Sequence, residues 1–125
     1  MIQKLAWLAL AGALGTLARY GLAGFVHRIS GASFPWGTVV VNITGCFLAG
    51  LLWSVFDNRW PVPGETRAFI VIGFMGAFTT FSALILETGE LVHSGEYLHA
   101  AANLAVQNVL GCIVLFAGAT LGRMI

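Results

Sequence analysis

Long apolar runs broken by short polar segments set the pattern of this chain. Four such runs stand out: Leu5 to Val26, Val39 to Phe56, Ala68 to Leu86 and Leu98 to Leu121. Each reaches the length of about 18 apolar residues that marks a candidate membrane span. The segments between them, "HRISGASFPWG", "DNRWPVPGETR" and "ETGELVHSGEY", carry the Gly, Pro and Ser of loops. The pattern therefore predicts an all-α integral membrane protein. It forms one domain over residues 1–125, with transmembrane helices over about 4–26, 37–56, 67–91 and 98–124. The alternating strands of an outer-membrane barrel are absent. The first run has no small-residue cleavage site behind it and is expected to stay in place.

The third run is the least regular. Its centre, "GFMGAFTTFSAL", holds Gly73, Gly76, Thr79, Thr80 and Ser82, all of which weaken a helix locally. Non-helical backbone at membrane depth is tolerated only where it is buried in protein or lines a cavity. Where a helix breaks, freed carbonyls can hold a cation and freed amides can meet an anion. The alternative is an intact helix whose hydroxyls bond back to its own carbonyls. Phe74, Phe78 and Phe81 recur at helical spacing, which usually means packing. A phenyl ring is nevertheless positive around its edge, and an edge facing a pore makes the weak anion site that conduction needs.

Polar side chains inside the other runs are expensive at membrane depth and become candidates for function. Arg19 either snorkels to an interface or faces inward and concentrates an anion. Gly12, Gly15, Gly21 and Gly24 around it would let neighbouring helices pack closely. Asn42 either bonds across helices or donates to an anion. Asn103, Gln107 and Asn108 are more amides than helix adhesion requires, and Asn103 and Gln107, four apart, share a face. Glu87 ends the third run near membrane depth. Gly118 and Gly122 form a small-xxx-small packing pair.

Composition agrees. Charged residues make up 9% of the chain and hydrophobic ones 58%, against roughly 25% charged in soluble domains. A net charge of +1 gives nucleic acid no footing. Cys46 and Cys112 read as small buried side chains, and His27, His93 and His99 form no metal pattern. Trp7, Trp36, Trp53 and Trp60 fall near run ends, as an aromatic belt would place them. With alternating spans, Lys4, Arg59, Arg67 and Arg123 share one side and Arg28 stands alone on the other, which directs the termini to the cytoplasm. No nucleophile–base pair, carboxylate pair or phosphate loop argues for an enzyme. Four short helices enclose little interior, so a pathway calls for a second subunit.

"GALGTLARY", "WGTVVVNITGCFLAG" and "GFMGAFTTFSA..E", in this order and spacing, resemble the Fluc/CrcB fluoride channel family over essentially the whole chain. The resemblance implies an antiparallel, dual-topology dimer in the bacterial inner membrane that exports fluoride passively and so lowers its toxicity. It implies a third helix broken near mid-membrane, with a structural sodium ion at the dimer interface on the backbone carbonyls of Gly76 and Thr79. It carries the pore and fluoride roles onto Arg19, Asn42, Thr80, Phe81, Ser82, Glu87 and Asn108, with Asn103 as the other matching position of the fourth span. Asn103 and Asn108 have one more residue between them than the family's usual spacing. The family commonly reads "TTFSTF" where this chain has Ala83 and Leu84, which removes a hydroxyl and a ring edge. That departure and the charge bias fit either a divergent homodimer or a heterodimer of related subunits. A small four-span proton-coupled multidrug exporter is the alternative function, although it needs a carboxylate where the first span offers Arg19. A non-transporting assembly subunit is a third reading.

Overall fold

The computed structural model describes residues 1–125, and every regular element is helical. Helix α1 covers Ile2–Ser30 and α2 covers Trp36–Asn58. The third apolar run forms α3, residues 64–78 with a π-helical stretch over Phe69–Met75, and α4, Phe81–His93, while Tyr97–Met124 forms α5. Local chemistry sets the ends. Gly31, at φ 74°, stops α1 in a backbone conformation that favours glycine. Pro35 and Pro63 sit just before α2 and α3, where the missing N–H costs nothing. Gly95, at φ 79°, turns the chain between α4 and α5.

Four helical spans are long and apolar enough to cross a membrane. The chain is a multi-pass membrane protein. Only 20 of its 125 residues are buried, so the subunit encloses almost no interior of its own. Large apolar side chains such as Leu14, Leu17, Phe25 and Phe116 point outward, a surface suited to lipid or to another protein in the membrane.

The main seam joins α2 to α5. A side chain on Gly50 would collide with the Leu115 carbonyl, and one on Gly118 with the Phe47 carbonyl. Backbone meets backbone there, and Gly118 and Gly122 act as the packing pair their spacing predicted. Around Arg19 the outcome differs from the expectation. Gly15 lies against the Phe74 carbonyl, but Gly21 and Gly24 have nothing within 4 Å. They face outward and allow no close helix contact within the subunit.

At the end that holds the termini, Lys4 pairs with Glu65 and Arg67 with Asp57, the latter at 2.8 Å. Arg59 donates to the Arg123 carbonyl at 3.1 Å. The basic residues counted on one side of the membrane thus gather at one end of the bundle.

Candidate functional site

In the third run α3 ends at Phe78, with a last helical bond from the Thr79 amide to the Met75 carbonyl at 3.1 Å, and α4 begins at Phe81. Thr79 (φ −85°, ψ 161°) and Thr80 (φ −153°, ψ 116°) between them are extended. Each threonine serves one helix end. Thr79 donates through Oγ1 to the Met75 carbonyl at 3.1 Å and closes α3. Thr80 Oγ1 accepts from the Ala83 amide at 3.2 Å and caps α4. The methyl of Thr79 fills the space that a side chain on Gly45 would take, so α2 has a glycine where the extended pair presses on it.

Asn42 completes the arrangement. Its Nδ2 donates to the Thr80 carbonyl at 2.9 Å, and its Oδ1 accepts from the Thr80 amide at 2.8 Å. In an extended residue these two groups face the same way, as they do toward a neighbouring strand, and a single carboxamide pairs with both. The Thr80 amide would bond the Gly76 carbonyl in a continuous helix, and the Ala83 amide would bond that of Thr79. Both amides are engaged elsewhere, so the Gly76 and Thr79 carbonyls lose their usual donors. Gly76 is exposed on the subunit and Thr79 half-buried.

Asn42 also begins a chain of amides. Its second Nδ2 bond runs to Gln107 Oε1 at 2.6 Å, and Gln107 Nε2 donates to Asn103 Oδ1 at 2.8 Å. Asn103, fully buried, donates to Thr88 Oγ1 at 3.0 Å, and Thr88 donates to the Leu84 carbonyl at 2.7 Å. A groove of about 190 Å³ opens at the head of this chain, lined by Asn42, Cys46, Thr80, Phe81, Leu84, Gln107 and Asn108. Phe81 stands 72% exposed on the rim while Leu84 is 4% exposed. Phe74 and Phe78 stack inside the subunit, with ring centroids 5.9 Å apart. Ser82 touches Thr80, hydroxyl to hydroxyl, at 3.3 Å.

Thr80 and Ala83 also border a second concavity of about 280 Å³, which holds Arg19, Thr16 and Thr38. Thr38 and Tyr20 lead from it into a third, of about 330 Å³, with His27 and Glu87. Thr38 Oγ1 donates to Glu87 Oε1 at 2.5 Å. A row of hollows thus runs from the loop between α1 and α2 to Thr80, which also lines the Asn42 groove.

The structure therefore brings Asn42, Thr80, Phe81 and Asn108 to one groove, and puts Arg19 and Glu87 in the adjoining hollows. Asn108 spends its Nδ2 on the Leu104 carbonyl of its own helix, at 2.7 Å, and Gln107 is the fourth-span amide that reaches Asn42. Residues 106–110 form a π-helical segment. Its i→i+5 turn takes up one residue more than an α turn, and it overlaps the interval between Asn103 and Asn108 where an extra residue was expected. Thr38 and Thr88 were not singled out in the sequence, and Gln107 was counted among the fourth-span amides but given no pore role. The signal for Thr38 was its place four residues before Asn42, on the same helix face.

Residues 6–119 match the family model described as CrcB-like protein, Camphor Resistance (CrcB). The chain belongs to the CrcB family. Among its relatives is the "Fluoride-specific ion channel FluC" of Desulforapulum autotrophicum, 61% identical over 125 residues and covering all of both chains. Proteins of the same description from Solidesulfovibrio magneticus and Nitrosococcus oceani are 54% and 51% identical, again over the full length of both. These CrcB relatives share the length of this chain as well as its residues.

Proposed function

We propose that this CrcB protein is a fluoride-selective channel that lets fluoride leave the cytoplasm passively across the bacterial inner membrane. The observation that carries the reading is the extended Thr79–Thr80 pair, held by Asn42 at the wall of a groove that also carries Phe81 and Asn108. The relatives named as fluoride-specific channels, matched from end to end, support the choice of ion. Hydrogen fluoride crosses lipid uncharged and dissociates inside, which traps the anion. A selective pore returns it down its electrochemical gradient without covalent chemistry. Arg19 gathers the anion in its hollow, Asn42 and the hydroxyls of Thr80 and Ser82 replace water, and Phe81 offers its ring edge. Asn108 lines the groove, and Glu87 lines the hollow next to that of Arg19.

We read the interruption at Thr79 and Thr80 as the mid-membrane break that the family resemblance implies. The carbonyl of Gly76, on an exposed residue and without its helical donor, is costly against lipid, which supports burial against a second subunit, one that the family resemblance makes antiparallel. Whether that subunit is identical or a related chain that supplies a ring edge opposite Leu84, the groove is open until it docks. The Gly76 and Thr79 carbonyls are neutral oxygen donors of the type hard cations take, so they suit the structural sodium that the family resemblance implies. When bound, that ion supplies a fixed positive charge beside the anion path.

The multidrug-exporter alternative lacks support: no carboxylate lines the groove or stands in the first span. The experiment is complementation. In bacteria stripped of their own fluoride exporters, the chain should restore growth in fluoride medium, most visibly at acidic external pH. Unchanged fluoride sensitivity, with the protein present in the membrane, would contradict the reading.

A further inference from the structure

The geometry points to Gln107 as the positioning residue that sets the Asn42 donor for the passing anion, an inference that rests on the channel reading above. Asn42 has two Nδ2 protons. One holds the Thr80 carbonyl and keeps the backbone extended. The other goes to Gln107 Oε1 at 2.6 Å. The second is the N–H that Asn42 can turn as a hydrogen-bond donor toward an anion in the groove without letting go of the main chain. Gln107 lines that groove while being 6% exposed, so its oxygen holds the proton at the groove wall.

The chain behind Gln107 fixes which way its amide points. Thr88 gives its hydroxyl proton to the Leu84 carbonyl, so its oxygen is left to accept from Asn103. Asn103 must then present Oδ1 to Gln107 Nε2, and Gln107 must present Oε1 to Asn42. Thr80 fixes the other end, because its amide needs Oδ1 and its carbonyl needs Nδ2. Both ends of the relay lie on the third run, one at the extended pair and one in α4. Turning any amide over would set donor against donor and acceptor against acceptor in a buried row, where unmatched groups are costly.

Two variants test this in reconstituted liposomes. Gln107→Met keeps the length and removes both polar atoms. Fluoride flux should fall roughly tenfold or more while the protein stays monodisperse, since a buried donor and acceptor lose their partners. Gln107→Glu is the conservative rescue. Its protonated form has an oxygen to accept from Asn42 and a proton for Asn103; its ionised form has only acceptors. Flux through this variant should approach wild type as the pH is lowered and fall as it is raised, because only the protonated carboxyl matches both Asn42 and Asn103. Wild type should stay flat over the same interval. Cys46 is the only titratable side chain lining the groove, and it is present in every variant, as are Glu87 and Arg19 in the adjoining hollows. Wild-type flux by Gln107→Met, or a pH-independent Gln107→Glu, would overturn the inference. If Gln107→Met fails to fold, the pH profile of Gln107→Glu decides alone. Absence of fluoride flux in the wild type would instead sink the channel reading itself.

Discussion

The side chain of Asn42 satisfies both backbone polar groups of Thr80, accepting from its amide at 2.8 Å and donating to its carbonyl at 2.9 Å. The two residues are 38 positions apart. This one pairing lets an extended residue persist between two helices without leaving its main chain unbonded. It also ties α2 to the point where the third run changes direction.

We predict that Asn42→Asp, which keeps the shape and the acceptor but has no donor when ionised and only one when protonated, slows fluoride flux at least roughly fivefold. A buried carbonyl left without its donor costs about 1–3 kcal/mol, and about 1 kcal/mol is already that factor in rate. Flux from liposomes, with size-exclusion profiles as the check on folding, measures it. Unaltered flux would mean that the pairing with Thr80 is dispensable.

Phe81 and Phe78 should separate cleanly. Phe81→Ile removes a ring from the exposed rim, so assembly should survive while flux falls roughly fivefold, the equivalent of about 1 kcal/mol of ring-edge interaction. Phe78, 4% exposed and stacked on Phe74, is expected to behave differently. Its Ile variant should lower the melting temperature in detergent. Normal flux through Phe81→Ile would reduce that ring to packing.

The glycines of the seam make a third test. Gly50→Ala pushes a methyl into the Leu115 carbonyl and should destabilise by about 1–3 kcal/mol as overpacking does. Gly21→Ala meets nothing within 4 Å and should stabilise its helix by about 0.5–1 kcal/mol. Thermal unfolding of the two purified variants in the same detergent compares them. Equal melting temperatures would contradict the close approach of α2 and α5.

Much of this was legible in the sequence because the membrane makes the signals loud. Apolar length marked the four spans, and the cost of buried amides drew attention to Asn42, Asn103 and Gln107. Helix-weakening residues marked the stretch around Thr79 and Thr80. Periodicity failed across that stretch. Phe78 and Phe81 are three apart and would share a face of one helix, yet they are 4% and 72% exposed. Two extended residues reset the helical phase, so α4 starts with Phe81 outward and Leu84 inward. Nor could spacing reveal that Gln107 rather than Asn108 meets Asn42. The π-helical turn at 106–110 alters the angle between them, and the α-helical count of 100° per residue no longer applies.

The measurement that bears most directly on the central claim is efflux from liposomes containing the purified protein, with fluoride and chloride compared at equal gradients and protein-free vesicles as the blank. Fluoride should leave fast and chloride near the blank rate, with no accumulation of either ion driven by an imposed proton gradient. Equal rates for the two anions, or proton-driven uptake, would contradict that claim.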